Sequence, residues 1–344
     1  VKVELEEMYQ QIGIRSHGKG IFHKEFVDGK TLGNKRVFWV KEDVLIVNIV
    51  FAWEQAVAKT TKNEIGMIAS HRFPMYLPIK TQSDLDYLLY FFLTRRGKSL
   101  LELASPGGAG RNKTLGQKEF ENLKFLIPEV AEQNKIALFL NAIECKLNAL
   151  KKKKTLLEQY KKGVMQKIFS QELRFKDENG KAFPKWKASP LRDLLDYEQP
   201  TKYLVASKDY DDSYKTPVLT AGKTFILGFT NEVEGIFKEH LPVIIFDDFT
   251  TAFKFVDFSF KAKSSAMKIL KPKKGVNIYF VYEAMRNIEY KVSGHERHWI
   301  SKYSNIEVPT PIDEEQNKIA KFLSNINEKI NAVEMQIEKT EDYR

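Results

Sequence analysis

Two glycine-led loops carry the side chains best suited to reading a nucleic acid. Residues 105–115 (SPGGAGRNKTL) hold the first set of candidates, Arg111, Asn112 and Lys113. Arginine can donate two hydrogen bonds to guanine, asparagine pairs similarly with adenine, and lysine suits guanine or phosphate. Residues 293–299 (SGHERHW) hold the second set, His295, Arg297 and His298. Either loop alone is also typical of an ordinary exposed connection, but their occurrence in both halves of the chain favours DNA.

Two Gly-Lys turns are weaker candidates for the same role. The first turn carries Arg15, His17 and Lys19, and the second carries Lys223. Basic side chains beside glycine can contact phosphate, although turns of this composition are also common on protein surfaces. Three aromatic residues elsewhere are more typical of a core than of base stacking: Trp53, Phe229 and Trp299.

No catalytic motif is complete. Residues 13–20 (GIRSHGKG) lack the hydroxyl residue of a phosphate-binding loop, and Pro217 replaces the first glycine that the second Gly-Lys-Thr would need. No GxGxxG follows a strand pattern, and the Asn-Pro-Pro-aromatic signature of adenine methyltransferases is missing. Asp247 and Asp248 are interpreted as the end of a strand, and His295 with His298 lacks further zinc ligands nearby. We therefore predict no catalysis and no metal site; a nuclease with an unfamiliar site is the least favoured alternative.

Composition limits the classes of protein. The 344 residues carry a net charge of +10, and 43% of them are hydrophobic, enough for two globular cores. This net positive charge favours a polyanionic partner. The single cysteine, Cys145, excludes a disulfide scaffold and points to a reducing compartment, by default the cytoplasm. Neither a signal segment nor an apolar run of membrane-spanning length, ~18 residues, is present, so we predict no membrane association.

The chain repeats one segment at a constant offset. Residues 127–150 (IPEVAEQNKIALFLNAIECKLNAL) return as residues 310–333 (TPIDEEQNKIAKFLSNINEKINAV). In both copies a proline precedes acidic residues, which suit the first turn of a helix because the helix dipole is positive at that end. Each copy is therefore predicted to begin a helix.

Apolar residues recur at alternating steps of three and four along both helices. The first seam contains Ile136, Leu140, Ile143, Leu147, Leu150, Leu157, Val164 and Ile168, with Lys154 and Lys161 at two polar positions. The second contains Ile319, Leu323, Ile326, Ile330, Val333 and Ile337, followed by Thr340 and Arg344. So narrow a seam favours pairing of the two helices over packing of each on its own domain. We predict an antiparallel coiled coil, whose first helix (129–169) is about 60 Å long, with a globular part at each end.

The remaining sequence mixes strand and helix patterns, so the predicted class is α+β. Buried strands are predicted at residues 44–50 (VLIVNIV) and 243–246 (VIIF). We predict a globular part at residues 1–115, a helix over 116–170, a linker and second globular part over 171–298, and a second helix over 299–344.

The repeated plan resembles a known family. Each globular part precedes a helix that opens with Pro-x-x-x-Glu-Gln-x-x-Ile-Ala-x-Phe-Leu, at residues 128–140 and 311–323. Together with LEQYKKG at 157–163, MQKIF at 165–169 and Phe-Pro-x-Trp at 183–186, this pattern resembles the specificity (S) subunit of type I restriction-modification systems. A segment expected before the first globular part is missing and the second helix stops early, as in a trimmed chain.

The resemblance implies a function for each part. The globular parts would be target recognition domains for two halves of a bipartite, asymmetric duplex DNA site, and the helices would set the spacing. Half-sites one duplex turn apart lie ~34 Å from each other. The helices would also dock methyltransferase (M) subunits, through candidates Gln133, Phe139, Gln316 and Phe322. S-adenosylmethionine, ATP and Mg would belong to the M subunits and the restriction (R) subunits, and none to this chain.

The main alternative is a coiled-coil interaction scaffold that does not bind DNA. A steep salt dependence of duplex affinity distinguishes the two, because only a DNA-binding protein releases phosphate counterions. The lysine run at 151–154 fits either alternative, as a solvated helix face or as a contact for phosphates or an acidic partner.

Overall fold

The computed structural model describes residues 1–107, 113–220, 224–290 and 297–343. The chain forms two compact units, the first comprising residues 1–148 with 340–343 and the second residues 149–339. Both units mix helices and strands, which confirms the predicted α+β class. In the described ranges, no helix is both long and apolar enough to cross a membrane.

The first unit is built from two small sheets and four short helices. Its strands are β1 (Met8–Ile14), β2 (Ile21–Asp28), β3 (Val37–Trp39), β4 (Leu45–Val47), β5 (Val57–Lys59), β6 (Ile68–Ser70) and β7 (Met75–Tyr76). Its short helices are α1 (Gly29–Leu32), α2 (Leu85–Leu93), α3 (Arg95–Leu103) and α4 (Gln117–Glu121). One sheet has the order β2-β1-β6-β3, with only β1 and β6 parallel, and the other is the antiparallel β5-β4-β7.

Strand β4 joins two apolar cores in this unit. Leu45 and Val47 pack in one core with Phe92 of α2, while Ile46 packs in the other with Ile12 of β1. Side chains alternate between the faces of a strand, so a strand buried on both faces has a continuous apolar sequence. The strand is shorter than the predicted 44–50, because Asn48 turns the chain by accepting the backbone N–H of Val50.

The two long helices occur where the repeat predicts them. Helix α5 spans Val130–Phe169, within one residue of the start at 129 that the repeat predicts. It begins later than residue 116, where we predicted the helical segment, because residues 117–121 form the separate helix α4. The boundary between the two units falls inside α5.

The described part of the second unit contains three sheets. Its strands are β8 (Lys187–Pro190), β9 (Leu195–Glu198), β10 (Thr216–Leu219), β11 (Ile226–Thr230), β12 (Val243–Asp247), β13 (Phe253–Val256), β14 (Lys261–Ala262), β15 (Met267–Pro272) and β16 (Glu307–Thr310). Its helices, besides part of α5, are α6 (Leu191–Leu194), α7 (Ile278–Met285), α8 (His298–Ser301) and α9 (Asp313–Glu341). The sheets have the orders β13-β12-β15-β9, β11-β10-β14 and β16-β8.

Strand β12 is the counterpart of β4. Ile244 and Phe246 face the core formed with α5, α7 and α9, whereas Val243 and Ile245 face a second core. The predicted strand at 243–246 is therefore confirmed, with Asp247 as its last residue.

Within the second unit, α5 and α9 pair in antiparallel orientation. Ile168 near the end of α5 shares a core with Ile319 and Leu323 near the start of α9. Earlier in α5, Lys154 forms a 2.6 Å ion pair with Glu334, which lies near the end of α9. These opposite directions confirm the predicted antiparallel pairing.

Lys161, the second polar residue of the seam, forms an ion pair with a residue of a third helix, α7. Lys161 is buried, and its Nζ lies 2.6 Å from Oε1 of the fully buried Glu283 in α7. Burial lowers the pKa of Lys161, while the hydrogen bond to Glu283 opposes this shift. The pair ties α5 to α7 within the second unit, and Arg286 supplies a second cation at 3.3 Å from the other carboxylate oxygen of Glu283.

The start of the segment predicted as linker and second globular part contains an ordered turn at residues 176–182, followed by β8. Lys176 and Ala182 form an antiparallel bridge, and Asp177 accepts the backbone N–H groups of Asn179 and Lys181. Gly180 adopts a φ of +78°, which a side chain would disfavour.

Helix α9 begins later than residue 299, where we predicted the second helical segment. The segment 299–312 instead contains most of α8 and all of β16. Its side chains Trp299, Tyr303 and Val308 are buried in the core of the second unit. Burial of Trp299, which is 2% exposed, confirms its prediction as a core residue.

Candidate nucleic-acid interface

The base of the first predicted recognition loop is anchored in the first unit. Gly107 and Lys113 form an antiparallel bridge, and the backbone N–H of Leu115 donates to Ile49 O at 2.8 Å. Lys113 is half-buried, with its Nζ 5.6 Å from the centre of the Trp53 ring. Arg111 and Asn112 lie outside the described residues. The bridge thus brings together the two ends of the segment that carries them.

The second loop is anchored by a histidine that sequence reasoning assigned to DNA. The side chain of His298 is fully buried, its Nδ1 lies 3.1 Å from the hydroxyl of Tyr290, and its backbone N–H donates to Asp248 O. A side chain with no exposed surface cannot reach a base edge, so the prediction of His298 as a DNA contact is wrong. Arg297 beside it is exposed, and His295 lies outside the described residues.

A buried ion pair holds the start of α8. Lys268 Nζ lies 3.2 Å from Asp248 Oδ2, and both side chains are almost completely buried. The other carboxylate oxygen of Asp248 accepts the backbone N–H of Trp299 at 2.9 Å. The ion pair lacks hydrogen-bond alignment, since Lys268 Nζ and Asp248 Oδ2 have no hydrogen-bond partner in the described part of the chain. Asp248 thereby ties the end of β12, and through Lys268 also β15, to His298 and Trp299, the two residues after Arg297.

The first Gly-Lys turn is a hairpin loop. Residues 15–20 connect β1 to β2, and Arg15, His17 and Lys19 are all exposed there. The loop is braced by Ser16, whose hydroxyl donates to Glu54 at 2.8 Å. Strands β10 and β11, which precede and follow the second turn in the sequence, pair in antiparallel orientation, and the Thr220 backbone N–H donates to Phe225 O. Lys223 lies outside the described residues.

The fold assembles a basic groove that sequence reasoning missed. A groove of about 470 Å³ in the first unit is lined by Lys24, Lys35, Asn48, His71 and Arg72, among others. These four basic or imidazole side chains are exposed and come from separate parts of the chain: β2, the loop before β3, and the loop after β6. Lysine and arginine lining one concavity are suited to phosphate oxygens.

Exposed aromatic rings and further basic groups continue from this groove. Phe38 and Trp39 of β3 are 39% and 51% exposed, and the Arg36 guanidinium lies 5.4 Å from the Phe38 ring centre. A neighbouring cavity is lined by Arg36, Phe38, Trp39, Lys41 and His71. The only sequence signal was the cluster KRVFWVK at 35–41, in which basic residues flank an aromatic strand. We call Lys35 and Arg72 of the groove, together with Arg36 of the neighbouring cavity, the groove cations.

The repeated glutamines are braces inside the fold. Gln133 is fully buried; it accepts the backbone N–H of Asp84 at 2.9 Å and donates to Gln82 O and Pro128 O. Gln316, also buried, accepts the N–H of Asn277 and donates to Pro311 O. Asp84 and Asn277 are the N-caps of α2 and α7. The prediction of Gln133 and Gln316 as partner contacts is therefore wrong, because both amides are consumed within the chain.

Replacing Gln133 with alanine is expected to lower the free energy of unfolding of the first unit by about 2–3 kcal/mol, because buried backbone groups lose their partners. Urea unfolding followed by circular dichroism measures the change. Asn134→Ala, one residue away and exposed, is the control and should have little effect. Equal stability of the two variants would contradict the brace.

The two repeated phenylalanines differ in accessibility. Phe139 is 58% exposed on α5. Phe322 is half-buried and packs edge-to-face on Phe175, with ring centres 5.6 Å apart. Phe139 therefore remains a predicted partner contact, whereas the face of Phe322 is largely covered by the chain itself.

The described residues contain no cluster of three or more side chains arranged to hold a metal ion. Asp247 caps the turn after β12 by accepting the N–H groups of Phe249 and Thr250. Asp248 is engaged by Lys268. The interpretation of this acidic pair as the end of a strand is confirmed.

Comparison with known proteins identifies the family. The type I restriction modification DNA specificity domain matches residues 31–159 and again residues 184–340. The chain belongs to this family. Each match of the specificity domain includes one copy of the repeated helix start, Gln133 in the first and Gln316 in the second.

Two curated specificity subunits are similar to parts of the chain. The Escherichia coli type I restriction enzyme EcoR124I/EcoR124II specificity subunit is 51% identical over 142 residues, which cover 40% of this chain and 35% of that protein. The Methanocaldococcus jannaschii type I restriction enzyme MjaVIII specificity subunit is 26% identical over 221 residues, covering 62% of this chain and 48% of that protein. The chain thus spans about half or less of the length of these two relatives.

A solved specificity subunit has a similar fold. The crystal structure of the type I restriction-modification S subunit from M. genitalium has a TM-score of 0.62 to this chain, at 14% sequence identity. The similarity covers 88% of this chain and 80% of that one. At this identity the likeness concerns the fold alone.

Proposed function

We propose that this chain is the DNA sequence-recognition subunit of a type I restriction-modification complex. Its two globular parts, at residues 1–115 and 171–298, would each bind one half of a bipartite, asymmetric duplex site. The observation that carries this proposal is the double match of the specificity domain, each copy ending in a long helix. The two globular parts have different sheet arrangements, and this difference has a physical reason if they read different base sequences.

The chain supplies recognition and no catalysis in this proposal. Methylation and cleavage would be performed by M and R subunits, which would also hold S-adenosylmethionine, ATP and Mg. A cytoplasmic location stays a prediction. The helices would dock the M subunits, and Phe139 is the accessible one among the four predicted contacts.

Two sets of side chains are proposed to contact DNA. In the first unit these are Arg111, Asn112 and Lys113, with the exposed cations Arg15, His17 and Lys19 of the hairpin loop and the groove cations. In the second unit they are His295, Arg297 and Lys223. The exposure of Arg297 and of the hairpin cations supports the proposal, because a base or phosphate contact needs an accessible side chain.

Replacing Arg111 with alanine is expected to relax selectivity at one base position of one half-site, at a cost of about 1–3 kcal/mol for the preferred base. The other half-site should be unaffected. Competition binding with duplexes substituted at single positions measures this effect. Uniform weakening on every sequence would instead make Arg111 a phosphate contact.

The function is tested by selection from a random duplex library. The tagged chain is isolated from its native lysate so that M subunits remain bound to it. Recovery of two short, different motifs at a fixed separation is the expected result. Partner proteins without enriched DNA would overturn the proposal and favour the scaffold.

Salt dependence provides a second criterion with the same sample. A recognition subunit should lose duplex affinity steeply with added salt, as phosphate contacts release counterions. A scaffold whose basic charge is incidental should show no specific complex at any salt concentration.

A further inference from the structure

The turns that follow the central strands β4 and β12 have the same construction. The side-chain oxygen of Asn48 accepts the backbone N–H of Val50 at 3.1 Å. In the second unit, the carboxylate of Asp247 accepts the backbone N–H of Phe249 at 2.8 Å. A side chain that bonds to the backbone two residues further on forms an Asx turn, which fixes the direction of the chain. An offset of 199 residues relates Asn48 to Asp247, so the two turns are counterparts, as their strands are.

Both turns are joined to the end of a predicted recognition loop by the same backbone contact. Ile49, which follows Asn48, accepts the backbone N–H of Leu115 at 2.8 Å. Asp248 accepts the backbone N–H of His298 at 2.9 Å through its own carbonyl oxygen. Leu115 and His298 are both buried and stand at the 183-residue offset of the repeat. Each turn is therefore held beside the loop to which sequence reasoning assigned DNA contacts.

The same two residues are also tied to the segment before a neighbouring strand. The backbone N–H of Ile49 donates to Arg72 O at 3.0 Å, just before β7. The backbone N–H of Asp248 donates to Ala266 O at 3.2 Å, just before β15. Strand β7 pairs with β4, and β15 pairs with β12. Three parts of the chain thus meet at each turn in the same arrangement, which fixes the position of the turn.

Within this shared frame, the turns differ in length and sequence. The backbone N–H of Asn48 donates across the first hairpin to Ala56 O, and seven residues, IVFAWEQ, lie between them. The backbone N–H of Asp247 donates to Ala252 O, and only four residues, DFTT, lie between them. A constant frame with different tips is the arrangement expected of segments that contact two different base sequences.

Each turn exposes one phenylalanine ring. Phe51 is 40% exposed and Phe249 is 46% exposed. Phe249 is the second residue after Asp247, whereas Phe51 is the third residue after Asn48. Because both turns are fixed by backbone hydrogen bonds, ordering them on a ligand costs little conformational entropy. The rings are therefore prepared for contact with a partner.

The surroundings of both rings suit a nucleic acid. Phe51 lines the basic groove of the first unit together with Arg72. Phe249 directly follows Asp248, which holds the backbone of the residues after the exposed Arg297. Cations at these places can contact phosphates, while an aromatic ring can contact the methyl group that only thymine presents in the major groove.

We propose that Phe51 and Phe249 are specificity-determining residues, each of which packs on the methyl group of a thymine in one half-site. Asn48 and Asp247 are the positioning residues that aim the two rings. The inference rests on the proposed function, since it requires that each globular part reads duplex DNA. It adds one apolar base contact per half-site to the polar contacts proposed for the loops.

Selection from the random duplex library tests the two residues separately. Tagged chains carrying Phe51→Ala or Phe249→Ala are isolated with their M subunits, as for the unmodified chain. Each variant should lose the preference for thymine at one position, in one half-site only, and the two variants should affect different half-sites. Leu126→Ala and Phe258→Ala replace exposed apolar side chains outside the two turns and should leave every preference unchanged.

Replacing that thymine with deoxyuridine tests the contact itself, because it removes only the methyl group. The substitution should weaken binding of the unmodified chain by about fourfold, equal to ~0.8 kcal/mol for one methyl-sized group. It should not weaken the facing phenylalanine variant any further. Such non-additivity identifies two groups in contact. A misfolded variant would instead lose affinity for every duplex and for both half-sites.

Three results would overturn the inference and leave the proposed function intact, because the unmodified chain still recovers two spaced motifs. The first is that both variants keep all base preferences. The second is uniform weakening on every duplex, which would make the rings non-specific contacts. The third is an equal effect of deoxyuridine on the unmodified chain and on the variants. Recovery of no motif by the unmodified chain would overturn the proposed function, and this inference with it.

Discussion

Replacing Lys268 with methionine is expected to lower the free energy of unfolding of the second unit by about 3–5 kcal/mol, because Asp248 then remains as an uncompensated buried charge. The two side chains have 0% and 1% of their surface exposed, so water cannot replace the lost partner. The loss is large compared with the total stability of about 5–15 kcal/mol of a typical domain. Urea unfolding followed by circular dichroism measures it.

The double variant Lys268→Met with Asp248→Asn provides the decisive comparison. Removing both charges eliminates the unpaired carboxylate, and the amide can retain the hydrogen bond from the Trp299 N–H, so much of the stability should return. Lys254→Met, at an exposed position of the neighbouring strand β13, is the surface control and should change stability by less than about 0.5 kcal/mol. A double variant no more stable than Lys268→Met would contradict the charge-pair explanation.

Replacing the three groove cations with alanine together is expected to cause the largest loss of DNA affinity in the first unit. If each contacts a phosphate, the slope of log affinity against log salt should become shallower by about 0.9 per contact. The loss should apply to all sequences equally, because phosphate contacts carry no base information. Duplex binding measured at several salt concentrations checks both expectations.

A control variant must distinguish the effect of losing three positive charges from the effect of losing them at the groove. Alanine at Lys80, Lys124 and Lys146 removes the same number of charges from exposed positions of the first unit that line neither the groove nor the neighbouring cavity. This control should leave the salt slope nearly unchanged. A similar loss in both triple variants would mean that overall charge, and not the groove, determines the affinity.

The buried Asp248 also has a consequence for recognition. It holds the backbone of both His298 and Trp299, which directly follow the exposed Arg297. Misplacement of a contacting side chain is costly even when its own chemistry is intact. Variants of Asp248 that still fold should therefore weaken one half-site more than the other.

Local sequence was sufficient to predict the two long helices and the central strand of each unit. The repeat at 127–150 and 310–333 predicted α5 and α9 because helix starts and seam spacing are short-range features. The continuous apolar runs predicted β4 and β12, since a strand buried on both faces needs apolar residues at every position. The family resemblance rested on the same repeated motif, and the double match of the specificity domain agrees with it.

Tertiary structure alone decided which polar residues are accessible. His298 and Lys268 occur in sequence surroundings that equally suit exposed residues, yet both are fully buried. Gln133 and Gln316 lie in the most recognisable motif of the chain, but their amides bond to backbone groups about 40–50 positions away. The groove cations come from two loops that only the sheet brings together. Burial and long-range pairing depend on the whole fold, whereas periodicity and capping depend on a few neighbouring residues.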